Sequence, residues 1–105
     1  MDAAVSAKAA LLQALVRGDG YGLDLIERVK NQTNGKFVLG QGSVYPALRE
    51  LEREGLLESY EGEPTPERGG RPRRYYRLNA LGAKAAIEQR EVVMGLFMPV
   101  PQVGR

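Results

Sequence analysis

The sequence predicts an α+β fold, mostly α: three helices, a two-stranded β-hairpin and one long closing helix. Three observations predict it. Apolar residues recur at helical spacing in four separate stretches. Between the third and the fourth, "LLESYEG" and "RRYYRL" read as strands. The segment joining those strands, "EPTPERGGRP", holds three Pro and two Gly, which suits a long hairpin tip and excludes regular structure.

The first helix is expected over residues 3–16, "AAVSAKAALLQALV", where Ala and Leu dominate and Gly and Pro are absent. Val5, Ala9, Leu12 and Val16 form one apolar stripe, and Ala4, Ala7, Leu11, Ala14 and Leu15 form a second. A surface helix of a monomer needs only one stripe, so this helix is expected to be covered on two sides. "RGDG" ends it. The second helix is expected to start near Tyr21, with Gly22, Leu25, Ile26 and Val29 on one face, and to stop at "NQTNG". After a short extended piece, "KFVL", the third helix carries Val44, Leu48 and Leu51 at i, i+4 and i+7. Gly42 or Ser43 is its expected N-cap, which puts Pro46 in the first turn, and Gly55 closes it. In the second strand of the hairpin, Tyr76 and Leu78 are expected to face inward, and Tyr75 outward with Arg73 and Arg77. Asn79 should cap the last helix, residues 80–98, which Pro99 ends. Most of that helix's circumference is apolar, more than one small domain can cover, so a partner helix is expected. The order matches a winged helix-turn-helix. Residues 1–79 would form that domain, 80–98 a dimerisation helix and 99–105 a flexible tail.

Composition narrows the function. The 105 residues fit one domain, short enough for oligomerisation to supply added stability. There is no Cys and no His. A Ser-His-Asp or Cys-His centre is therefore impossible, and neither an enzyme, nor a metal site, nor a cofactor is expected. The apolar N-terminal run is too short to cross a bilayer and contains Lys8, so no membrane association and a cytoplasmic location are expected. The net charge is +2, but it is unevenly placed. Residues 68–77 carry five Arg and no acid, and the remainder has ten Lys and Arg against thirteen Asp and Glu.

A charge run taken alone is more often a solvated loop, and a helical stripe with one Arg is common. Their adjacency alters the weighing. A recognition helix needs a buried face that fixes it and an outward N-terminal face that reaches base edges. On the third helix Tyr45 and Arg49 point together, away from Leu48 and Leu51, and the acids Glu50, Glu52 and Glu54 come later. Arg can bond both acceptors of guanine in the major groove. Gly42 and Ser43 would offer free backbone N–H groups to a phosphate. In the hairpin tip Gly69 and Gly70 allow close approach, and Arg68, Arg71, Arg73 and Arg74 would meet phosphates or the minor groove.

The blocks "YGLDLIERV", "GQGSVYPALRELEREGLLE" and "GGRPRRYYRLNALG" resemble the matching blocks of PadR-type bacterial transcriptional regulators, over roughly residues 8–84. The single last helix is similar to that of the shorter PadR subfamily. The resemblance implies a homodimer joined through the first and last helices, bound to an inverted-repeat operator and usually acting as a repressor. It implies Tyr21, Ser43, Tyr45, Pro46, Arg49 and the wing arginines as the DNA-facing set. The expected dimer residues are Val5, Leu12, Val92, Val93, Leu96 and Phe97. Some short members sense flat aromatic drugs stacked on a Trp of the last helix, and this chain has no Trp. Met94, Phe97 and Met98 remain as a candidate pocket for an apolar or aromatic small-molecule effector, with plain dimer core as the alternative. The rival functions are a winged helix that docks on an acidic protein, which would not need Tyr45 and Arg49 beside glycine-hinged arginines, and a small-molecule sensor or carrier whose central pocket is the main activity.

Overall fold

The computed structural model describes residues 6–97. The expectations on Val5, on Met98, on the helix start at residue 3 and on the 99–105 tail lie outside those residues. Four helices and a small antiparallel sheet follow in the order α1 (Ala7–Val16), β1 (Gly20–Tyr21), α2 (Gly22–Gln32), α3 (Gln41–Arg53), β2 (Leu57–Glu61), β3 (Arg74–Leu78) and α4 (Ala80–Phe97). The fold is α+β, mostly helical, as the sequence predicts.

The ends of the helices follow from local chemistry. Ser6, expected inside the first helix, caps α1 instead: its Oγ accepts from the Ala9 N–H at 3.1 Å. α3 starts at Gln41 with Gly40 as N-cap, earlier than the expected Gly42 or Ser43. Gly40 is extended (φ −96, ψ 160), and its carbonyl already accepts from the Ser43 and Val44 N–H groups, both at 3.0 Å. Pro46 consequently lies past the first turn, inside the helix, and has no N–H to offer the Gly42 carbonyl. The other end of α3 is as expected. Gly55 is left-handed (φ +82), its N–H bonds the Glu52 carbonyl, and the Leu56 N–H reaches back to Leu51, a Schellman closure. Asn79 starts α4, its Oδ1 accepting from the Gly82 N–H at 2.8 Å.

α1 is the centre of the core. Leu11, Leu12, Ala14 and Leu15 are buried there with Leu25 and Val29 of α2 and Val44, Leu48 and Leu51 of α3. On its other side α1 meets the first half of α4, where Gly82 and Ala86 are buried. Leu11, Ala14 and Leu15 of one stripe are buried within the chain itself, whereas the other stripe runs from the buried Leu12 to Val16, which is 56% exposed. Leu12, expected at a dimer interface, is 6% exposed and belongs to this core. The wheel places a residue on a stripe but does not say what covers that stripe.

The sheet has one strand more than the sequence suggests. β1 pairs antiparallel with β3, and β3 with β2, giving the order β1-β3-β2. β1 is only two residues, too short for any alternation to register. Tyr76 faces the core (5% exposed), and Tyr75 faces outward. The loop between β2 and β3 contains a single 3₁₀ turn at Pro66–Arg68, where irregular chain alone was expected, because Pro66 presets its first residue.

Candidate nucleic-acid interface

The buried row Val44, Ala47, Leu48 and Leu51 fixes which way α3 faces. Tyr45 and Arg49 are left on the opposite side, toward the hairpin between β2 and β3. Between them lies a cleft of about 410 Å³. It brings together six of the expected residues: Tyr21, Tyr45, Arg49, Arg68, Arg73 and Arg74. Gly22, Leu23, Pro72 and Tyr76 complete the lining, and no acid is among the lining residues. Arg71, Gly42, Ser43 and Pro46 are exposed but lie outside the cleft.

Two details differ from expectation. Tyr45 is half-buried, because its ring lies over Gly22; a Cβ on residue 22 would run into that ring. Tyr45 is therefore seated by α2 as well as presented by α3. The Ser43 N–H, expected free for a phosphate, is already used by the Gly40 carbonyl, since the helix begins sooner. Gly22 and Leu23 were not singled out as site residues. Their signal is tertiary: a glycine at a helix start reads as ordinary until the ring above it is known.

The electrostatics are sorted by side. Arg49, Arg68, Arg71, Arg73 and Arg74 form no ion pair among the described residues. The acids of α3 are turned elsewhere. Glu54 and Glu50 face Lys8 of α1 at 2.6 and 3.7 Å, and Glu52 accepts the Ser59 hydroxyl at 2.7 Å. The bond to Glu54 raises the Lys8 amine above its ordinary range, with Glu50 adding to it and desolvation opposing it. In the hairpin tip, Gly69 and Gly70 are left-handed (φ +66 and +82). Around them, the Nε groups of Arg68 and Arg71 each donate to the other's carbonyl at 3.2 Å.

The expected dimer residues of α4 stand open in the single chain. Leu96 and Phe97 are each 71% exposed, and Val92 and Val93 are exposed too. A groove of about 600 Å³ runs between α1 and α4, lined by Ser6, Ala9, Gln13, Gln89, Arg90, Val93 and Met94. Of the candidate effector residues, Met94 lines it and Phe97 does not. Among the described residues no helix is long and apolar enough to cross a membrane, and no acidic group clusters as metal ligands.

The Transcriptional regulator PadR-like family matches residues 11–88, which hold the second half of α1, all of α2, α3 and the hairpin, and half of α4. The chain belongs to this family. It is 31% identical over 72 residues to an uncharacterised protein of Lysinibacillus sphaericus, covering 69% of this chain and 63% of that one. It is 32% identical over 83 residues to transcriptional regulator YqjI of Escherichia coli (strain K12), covering 79% of this chain and 37% of that one. The chain thus spans less than two thirds of either curated relative. A transcriptional regulator from Clostridium thermocellum has a similar fold, with TM-score 0.70 and 28% identity, over 88% of this chain and 92% of that one.

Tyr76 contributes a pH dependence to the stability of this PadR chain at the alkaline end. Burial pushes its phenol above the ordinary tyrosine range, against the opposing pull of Arg74 and, less, of Arg49. The unfolded phenol ionises near 10 and the folded one later, so above that pH the folded state holds more protons and stability falls as pH rises. Tyr76→Phe should lose less stability than the parent between about pH 8 and about pH 10.5 in urea unfolding. Equal losses would show that Tyr76 ionises as freely in the fold as out of it.

Proposed function

We propose that this PadR protein binds double-stranded DNA as a homodimer and represses transcription from an inverted-repeat operator. The observation that carries this is the cleft between α3 and the hairpin, lined by Tyr21, Tyr45 and four arginines that form no ion pair among the described residues, with no acid among the lining residues. α3 is the recognition helix and the β2–β3 hairpin is the wing. Two copies place their recognition helices about one DNA turn apart, roughly 34 Å. Arg68, Arg71, Arg73 and Arg74 neutralise phosphates on either side, which supplies most of the affinity and its salt dependence. Arg49 reads base edges in the major groove, and Tyr45 and Tyr21 meet the backbone or a thymine methyl. Gly42, Ser43 and Pro46 form the exposed first half of the helix that leads into the groove.

The uncovered apolar residues Val92, Val93, Leu96 and Phe97 support the dimer, since a surface of this kind on a small soluble domain marks an interaction site. Repression needs nothing beyond occupancy of the operator. The groove beside Met94 is the site for an apolar or aromatic effector, which would release the DNA by favouring a dimer angle that misplaces the two helices. The protein works in the cytoplasm, where the operator is.

The expected outcomes are these. In anisotropy titrations with a labelled duplex drawn from a random pool, Arg71→Ala or Arg74→Ala weakens binding to all duplexes alike. The salt slope flattens by about 1 for each lost phosphate contact. An unchanged slope would remove those arginines from the interface. Arg49→Ala relaxes the preference at particular base positions in selection from random duplexes; a uniform loss of affinity would make it a phosphate contact. The double variant Val92→Glu, Leu96→Glu sediments as a monomer, and a variant that stays dimeric would place the interface elsewhere.

A further inference from the structure

The three strands are joined by a single row of tyrosines. Tyr21 of β1 is directly opposite Tyr75 of β3, and Tyr75 is directly opposite Tyr60 of β2. Directly paired residues share a face, and this one is the outer face. The rings touch in sequence. Tyr21 meets Tyr75 edge-on at 5.4 Å between centroids, and Tyr75 stacks on Tyr60 at 5.6 Å with planes 16° apart. A guanidinium closes each end: Arg73 sits 4.5 Å over the Tyr21 ring and Arg77 sits 5.1 Å over the Tyr60 ring. Gly62 leaves room for the middle ring, since a Cβ there would collide with Tyr75, and its N–H bonds the Arg73 carbonyl at 2.7 Å.

The row is anchored outside the sheet at both ends. The Tyr60 hydroxyl donates to Asp19 Oδ2 at 2.5 Å, in the turn between α1 and α2. Arg28 holds that turn, donating to the carbonyls of Ala14 (3.0 Å), Gly18 (2.8 Å) and Asp19 and to the Asp24 carboxylate (2.8 Å). At the other end, Tyr21 is followed by Gly22, on which the Tyr45 ring of α3 rests. A continuous path of packed groups therefore runs from the turn, through the hairpin, to the recognition helix. Tyr60, Tyr75 and Asp19 line none of the cleft.

We propose that this row is a positioning device: Tyr60, Tyr75 and Asp19 touch no nucleic acid and fix the angle at which the wing arginines face Arg49. The need is physical. A two-stranded hairpin is marginal alone, and its arginines repel one another and Arg49, so an unanchored wing would swing away from α3. The consequence for binding rests on the DNA reading above; the effect on the wing angle does not.

Two measurements separate these. The chain has no Cys, so spin labels can be placed singly at Glu67→Cys in the wing and Arg53→Cys at the end of α3, both exposed. Labelled chains are diluted into unlabelled ones, without DNA. The distance distribution is expected to be narrow in the parent and broad in Tyr75→Leu and Asp19→Ala, with Tyr75→Phe restoring the narrow one. In duplex titrations, Tyr75→Leu should cost about tenfold in affinity, comparable to one lost aromatic pair, and should flatten the salt slope. Adding Arg71→Ala to it should then remove little more. A lowered melting temperature with an unchanged distance distribution would overturn the proposal, leaving the row as ordinary stabilisation. Broadening in a protein whose parent shows no salt-dependent duplex binding would uphold the row and defeat the DNA reading. Should Tyr75→Leu fail to fold, Tyr60→Phe, which loses only the bond to Asp19, decides by the same two readouts.

Discussion

Two residues, Gly20 and Tyr21, pair the wing with the segment that leads into α2. Gly20 and Tyr21 pair with Tyr76 and Tyr75, and this makes the hairpin the outer part of a three-stranded sheet. The strand passes close to α2 at its glycine. A Cβ at residue 20 would lie 2.8 Å from both Arg28 Nη2 and Asp24 Oδ2, and 2.9 Å from Leu25. Arg28 and Asp24 form an ion pair at 2.8 Å, so the backbone of β1 passes flat against a salt bridge that ties α2 to the turn before it. A side chain at residue 20 would have to displace the ends of the Arg28, Asp24 and Leu25 side chains. Tyr21, the second residue of β1, lines the cleft together with Tyr45 and Arg49.

The same logic of close approach orders the other end of the molecule. Gly82 lets α4 come down on the Leu56 carbonyl, where a Cβ would collide. Gln13 of α1 then reaches α4, donating to the Ala86 carbonyl at 2.8 Å and to Gln89 at 2.9 Å. Beyond Gln89, α4 leaves the body of the chain. Val92, Val93, Leu96 and Phe97 are apolar and uncovered there, whereas Leu12, equally apolar on α1, is enclosed. One helix thus divides into a half that completes the core and a half whose apolar face the chain itself leaves open. A dimer built on that second half could change its angle while leaving Leu11, Leu15 and Leu51 packed as they are.

What the sequence made legible was local chemistry. The stripe Val44, Leu48, Leu51, the Gly55 closure, the Asn79 cap and the inward Tyr76 each follow from a few adjacent residues, and each is found. The family blocks pointed to the right fold for the same reason. What was missed was set by distant partners. β1 is a strand only because β3 lies beside it, and Gly22 matters only because Tyr45 arrives from another helix. Gly40 became the cap of α3 over the better-suited Ser43 because the helix had already begun by then. Six candidate interface residues share one cleft, whereas the sequence could place them only on three separate elements.

The arrangement of charge has a further consequence for the wing. Arg77, on the same strand as Arg74, is paired with Glu58 at 3.1 Å, and Arg28 is paired with Asp24. The arginines around the cleft have no such partners among the described residues. Glu50 and Glu54, close to Arg49 in sequence, are turned to Lys8 instead. Unpaired like charges across a cleft oppose its closure, and in water the cost is modest because solvent screens them. A polyanion in the cleft would remove the repulsion and replace solvent with charge-assisted bonds. Occupancy and wing order are then coupled, each favouring the other. An anchored aromatic row makes that coupling economical, because the arginines are already aligned and little conformational freedom is left to lose on binding.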